Sequence, residues 1–155
     1  MISKKKTQPG SVIVIPLPDD RVAYAAYFKD GILGIYNIIS EKKLETDELK
    51  NIEIKIYKGC NESLIKKGVW PVIGVIELND DGDSPDLAYY AEWLPEDSVN
   101  RSAINRKGKT VHVDKEYYIS LVKKGCILSV FNKPEQLPQW IIHHLNVWPD
   151  YEMPD

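Results

Sequence analysis

The side chains able to do chemistry are few and scattered. The histidines are His112 and the adjacent pair His143-His144. Neighbouring residues on a helix point about 100° apart, so the pair is a poor joint ligand set. Cys60 and Cys126 each follow a glycine, and neither has a Cys or His nearby at metal-ligand spacing. Two free, buried thiols are the expectation. Asn79-Asp-Asp-Gly-Asp-Ser-Pro-Asp86 resembles a calcium loop only superficially, because it lacks the glycine at position six and the glutamate at position twelve. It reads as a solvated turn. Phosphate-cradling GxxxxGK, dinucleotide GxGxxG, zinc-protease HExxH and nucleophile-elbow GxSxG patterns are all missing. The chain is therefore expected to have no catalytic residue, no metal and no cofactor, and to act as a binder.

Charge patterning says more than the motifs do. Formal net charge is only −3, which gives phosphate no overall attraction and argues against nucleic-acid binding. Yet the charges are segregated. Glu77 to Asp97 holds eight acids and no Lys or Arg, whereas Arg101 to Lys124 holds seven bases against Asp114 and Glu116. Acids speed encounter with a basic surface and aromatics anchor it, so the expected partner-binding residues are Asp80, Asp81, Asp83, Asp86, Tyr89, Tyr90 and Trp93. The competing reading is that the acidic and basic segments face each other or solvent.

The elements that must position these groups are mostly strands. Ser11 to Leu17 is a β-branched run between Pro9-Gly10 and the turn Pro18-Asp19-Asp20. Arg21 to Phe28 follows, with small residues on both parities, and Asp30-Gly31 is a two-residue hairpin signal before Ile32 to Ile39. Ile52 to Tyr57 alternates apolar and charged residues, and Val69 to Glu77 reads as a strand buried on both faces, with Pro71 placing its start at an edge or bulge. Asn61 can cap a short helix that Gly68 stops. Leu87 to Trp93 and Lys109 to Val113 are weaker strand candidates, and Gly125 to Phe131 is a stronger one. Asp114 to Lys123 suits helix or strand. Lys133 to Asn146 predicts a helix, with Pro134 near its start and Leu137, Trp140, Ile141, Ile142 and Leu145 at helical spacing.

The expected fold is thus mostly β (α+β): an N-terminal antiparallel meander in a coiled sheet or small barrel, with a C-terminal helix packed on it. Residues 1–8 are expected as a disordered segment, 9–149 as one β-rich domain and 150–155 as an acidic tail. The longest run without a charge, Gln136–Pro149, is too short and too polar to span a membrane. A cytoplasmic protein is expected, of unknown oligomeric state.

Pro9-Gly10-Ser-Val-Ile-Val-Ile-Pro-Leu-Pro-Asp-Asp-Arg-Val-Ala-Tyr24 resembles the start of the immunity protein 26 family of bacterial polymorphic toxin systems. Gly31-Ile-Leu-Gly-Ile-Tyr-Asn-Ile38 and Gly68-Val-Trp-Pro-Val-Ile-Gly74 are similar to later segments of that family. The resemblance implies a mostly-β antitoxin without catalytic residues that binds a cognate toxin domain, with nucleases among the candidate targets, and blocks its active site or substrate groove. It carries over Gly10, Ile15, Pro16, Leu17, Tyr24, Trp70, Pro71 and Gly74 as scaffold. Two alternatives use the same opening. PemK/MazF-like ribonucleases share a glycine-apolar-proline start but carry an Arg-Pro step, where this chain has Arg21-Val22. A non-enzymatic phage or structural interaction module is the other.

Overall fold

The computed structural model describes residues 7–78, 80–89, 103–128, 130, 131, 133–146 and 148, with the backbone alone at Cys60, Asp80, Val130 and Phe131. Strands β1 (Ser11–Pro16), β2 (Val22–Tyr27) and β3 (Ile32–Ser40) form the predicted meander. Asp30 and Gly31 both adopt positive φ, 65° and 72°, but the connection is a three-residue turn, Lys29–Gly31, closed by Phe28 N donating to Ile32 O at 2.8 Å, where a two-residue loop was expected. Helix α1 (Thr46–Leu49) leads into β4 (Ile54–Cys60), and α2 (Ser63–Lys66) leads into β5 (Val72–Val75). Asn61 does serve α2, accepting a hydrogen bond from Ser63 N at 2.7 Å. Then come β6 (Leu87–Tyr89), β7 (Ala103–Arg106), β8 (Lys109–His112), α3 (Lys115–Lys123), β9 (Ile127–Leu128), β10 (Val130–Phe131) and α4 (Leu137–His144).

The strands make two sheets, and they do not close into a barrel. The larger has the order β10-β4-β3-β2-β1-β5, antiparallel except where β10 runs parallel to β4. The smaller has the order β8-β7-β6-β9, with β9 parallel to β6.

Period-two alternation divides the core between the faces of the large sheet. Ile13, Ile15, Ala23, Ala25, Leu33, Ile35 and Ile56 share one buried cluster with Tyr118, Leu121 and Val122 of α3 and with Leu137, Trp140 and Ile141 of α4. Both helices therefore lie on this face, and the alanines of β2 let them approach. The opposite face carries Val12, Val14, Tyr24, Ala26, Phe28, Ile32 and Tyr36, which pack against Leu44, Leu49 and Leu87. Asp114, accepting from Tyr117 N at 2.8 Å, caps α3 and makes that ambiguous segment a helix.

Two expectations need correction, and one strand was not anticipated. The Val69 to Glu77 strand is short and is not buried on both faces, with Val69 52%, Ile73 37% and Val75 53% exposed; it lies at the edge of its sheet, as Pro71 indicated. An apolar composition signals burial on both faces only when a layer covers each face, and here Ile73 and Val75, which alternate with half-buried Val72 and Gly74, are left uncovered. The Gly125 to Phe131 run is two short strands in different sheets, β9 beside β6 and β10 beside β4. Strand β7, which lies between β6 and β8, carried too weak an alternation to be read.

Candidate partner-binding surface

The acidic segment begins where β5 ends and crosses one end of the large sheet. A Cβ on Gly82 would stand 2.5 Å from Pro9 Cβ, so the loop lies close against the entry to β1. Asp86 accepts two hydrogen bonds from Arg106, from Nε at 3.0 Å and Nη2 at 2.8 Å, and a third from the Tyr117 hydroxyl at 2.5 Å. The Arg106 guanidinium holds the Asp86 carboxyl below the usual carboxylate range, and the phenol adds to this against the opposing effect of burial. Asp83 sits 3.7 Å from Lys29 Nζ. Asp81 is exposed and adopts φ 57°. The Tyr89 hydroxyl meets Thr110 Oγ1 at 3.1 Å, across to β8, and its carbonyl accepts from Tyr118. Of the residues expected at the surface, then, Asp83, Asp86 and Tyr89 contact the chain itself, and Asp81 faces solvent. The side chain of Asp80, and Tyr90 and Trp93 altogether, lie outside the described residues.

The strand that feeds this segment has a different character. Among the described residues, the large apolar side chains left exposed are Val69, Ile73 and Val75, all within seven positions of β5 and its approach. Ile76 N donates to Gly10 O at 2.8 Å, so in an antiparallel ladder Gly74 also faces β1 and the backbone of Val75 faces away from it. No charged residue lies between Gly68 and Glu77. Protected edges usually carry such charges, so this edge is suited to pairing with another chain.

Behind the edge, on the sheet face opposite α3 and α4, is a half-open cavity of about 710 Å³. Leu49, Ile54 and Ile76 give it apolar walls; Tyr36 and Tyr57 supply phenols and Glu77 stands at the rim. Gly74 lets α1 close one side, since a Cβ there would meet Thr46 Cγ2 at 2.6 Å. Burial pushes Tyr57 up to about 12 and raises Tyr36 as well, so both phenols stay protonated. Neither hydroxyl bonds to a described residue.

Of the positions carried over as scaffold, Ile15, Pro16, Tyr24 and Gly74 lie in strands, and Gly10, Leu17, Trp70 and Pro71 adjoin them. Tyr24 is buried and its hydroxyl accepts from Leu44 N at 2.6 Å, while Trp70 is buried and Pro71 O accepts from Val14 N at 2.9 Å. Ile15 and Leu17 are core residues, Pro16 is exposed, and Gly10 N donates to Tyr27 O at 2.8 Å. Sequence reasoning missed Lys58, which is fully buried with Nζ 3.9 Å from the Trp140 ring centroid. His144 stacks on that same ring at 4.7 Å, and His143 lies near Gln139 instead. Cys126 is a free, half-buried thiol whose pKa burial raises. Among the described residues no cluster of His, Cys, Asp or Glu could hold a metal, and no helix is long and apolar enough to cross a membrane.

In comparison with known proteins, a family model described as Immunity protein 26 matches residues 8–99, more than half of the chain. No curated protein and no solved structure matches. The matched span runs from the entry to β1 through β6 and includes the edge strand, the cavity and the acidic segment.

Proposed function

The chain belongs to the immunity protein 26 family, and from that premise we propose that it captures a cognate bacterial toxin domain along the β5 edge and the acids that follow it. The toxin is neutralised by occlusion of its active site or substrate groove, with no chemistry done by the immunity protein. The observation that carries this reading is the confinement of Val69, Ile73 and Val75, the exposed large apolar side chains among the described residues, to one edge segment. An extended strand of the toxin can add to that edge by backbone pairing and cover those side chains. Glu77 and Asp81, both exposed, flank it and favour a basic approach surface. Asp83 and Asp86 hold the loop instead of meeting the partner, because their carboxylates already face Lys29 and Arg106. Nothing here favours a ribonuclease: Arg21 is paired with Asp19 in a surface turn.

The test is a search of the neighbouring genes for a toxin domain, followed by co-purification with any that is found. A stable complex is expected. Val75→Lys should weaken it at least about tenfold by placing an unpaired charge in the strand pairing. Reversing Glu77 and Asp81 should slow association and flatten its salt dependence. If both variants bind like the parent chain, the surface is wrong. Sedimentation of the free protein adds a check: self-association abolished by Val75→Lys would give the edge to a second copy.

A further inference from the structure

We propose that the cavity behind β5 receives a basic side chain of the bound toxin, arginine in preference to lysine. This rests on the toxin-binding reading above and names what the partner must present.

Tyr36 is only 4% exposed and lines the cavity, and its hydroxyl has no hydrogen-bond partner among the described residues. Buried hydroxyls are ordinarily paired, so an unpaired one on a residue that lines an open volume marks a position that a ligand group or water fills. Tyr57 lines the same space, close enough to Tyr36 for that phenol to add to the burial that raises Tyr57. Both stay neutral, so their oxygens can accept hydrogen bonds from an incoming N–H group.

The rim decides the sign of the charge. Asp47 and Lys50 stand 3.0 Å apart and largely cancel each other. Glu77 lines the cavity with no ion pair among the described residues, which leaves one net negative charge at the mouth. A carboxylate or phosphate would be repelled there. A purely apolar side chain would satisfy the walls and leave the Tyr36 hydroxyl unpaired.

A long basic side chain meets all three conditions. Its methylenes lie on Leu49, Ile54 and Ile76, its head stays near the half-open mouth, and its donors reach the phenols and Glu77. A guanidinium suits this better than an ammonium. It is less strongly hydrated, stacks on aromatic faces, and spreads five donors over separated acceptors.

The probe is N-acetyl-arginine amide, titrated into the full chain carrying ring-labelled tyrosine and followed by NMR. The neutral N-acetyl-norleucine amide and the acidic N-acetyl-glutamate amide serve as controls. The arginine probe should shift the Tyr36 and Tyr57 ring signals with millimolar affinity, weakened by about threefold in Glu77→Gln. Tyr57→Phe should weaken it too while leaving the fold intact. The proposal is overturned if norleucine amide binds as well as the arginine probe, if glutamate amide binds better, or if no tyrosine signal moves at the solubility limit. Failure of the toxin complex to form would refute the toxin reading and leave the probe result standing. A complex that forms and keeps its affinity in Tyr57→Phe and Glu77→Gln overturns the cavity's part in it.

Discussion

Gly125→Ala is the most informative single test of how the two sheets are joined. Gly125 adopts φ +81°, and a Cβ there would stand 2.2 Å from the Lys55 carbonyl oxygen and 3.2 Å from Ile56 Cα. Both contacts are backbone, so neither can swing aside. The Gly125 carbonyl also accepts from Tyr57 N at 3.0 Å, which ties the approach to β9 onto β4 at a residue that lines the cavity. Two costs follow. A left-handed conformation costs an alanine about 1–2 kcal/mol, partly offset by about 0.4–1 kcal/mol from the stiffer unfolded chain. Forcing a methyl against fixed backbone adds about 1–3 kcal/mol. The sum is about 3 kcal/mol, a large share of the stability of an ordinary domain. At this chain length it lowers Tm by about 6–12 °C. Gly68→Ala is the control, since Gly68 has φ +78° and a Cβ there would meet nothing within 4 Å. It should carry the conformational cost alone, about 1 kcal/mol or less. Urea denaturation of both variants isolates the packing component as their difference. If the two losses agree within about 0.5 kcal/mol, the Lys55–Gly125 contact does not constrain the fold as described.

Other expectations follow from single contacts. Tyr24→Phe strips the acceptor from the buried Leu44 N–H and should cost about 1–3 kcal/mol in urea denaturation; a loss under about 0.5 kcal/mol would show that water replaces the bond. The Asp86 carboxyl is held low chiefly by Arg106, so its folded pKa lies under its unfolded value. That stabilisation is present above the ordinary carboxylate pKa of about 4 and is lost as pH falls through the folded value, so parent and Asp86→Asn should differ most near neutrality and converge in acid. A gap that widens on acidification would contradict the assignment. Tyr57 has the opposite sign: burial raises it to about 12, so its contribution is complete below about 10 and is lost as pH rises through the folded value. Tyr57→Phe should make stability less steep across that alkaline window, and a spectrophotometric titration should lose one late-ionising phenol.

Much of the fold was legible because its signals are local. The meander rests on β-branched alternation and on Asp30-Gly31, whose positive φ values need no distant contact. The C-terminal helix was legible from spacing, although α4 occupies only Leu137–His144 of the expected 133–146, and its burial against the sheet followed. Asp114 to Lys123 was not decided locally, because Tyr117, Tyr118 and Ile119 suit either conformation and the Asp114 cap tips the balance. The candidate site was legible only in part. Acids and aromatics could be counted along the chain, but the distance from Asp86 to Arg106 is set by the pairing of β6 with β7.

The sequence by itself determined an alternating apolar meander, a C-terminal helix and the resemblance to an immunity family, since each is encoded in neighbouring residues. Tertiary structure alone decided that the apolar side chains of Val69 to Glu77 are left exposed, that Asp86 faces Arg106, and that Tyr36 and Tyr57 share a cavity with Glu77. Apolar composition records that a side chain can be buried. Whether it is buried, and which charges find a partner, depends on which strand lands beside it, and that is settled by contacts between residues far apart in the chain.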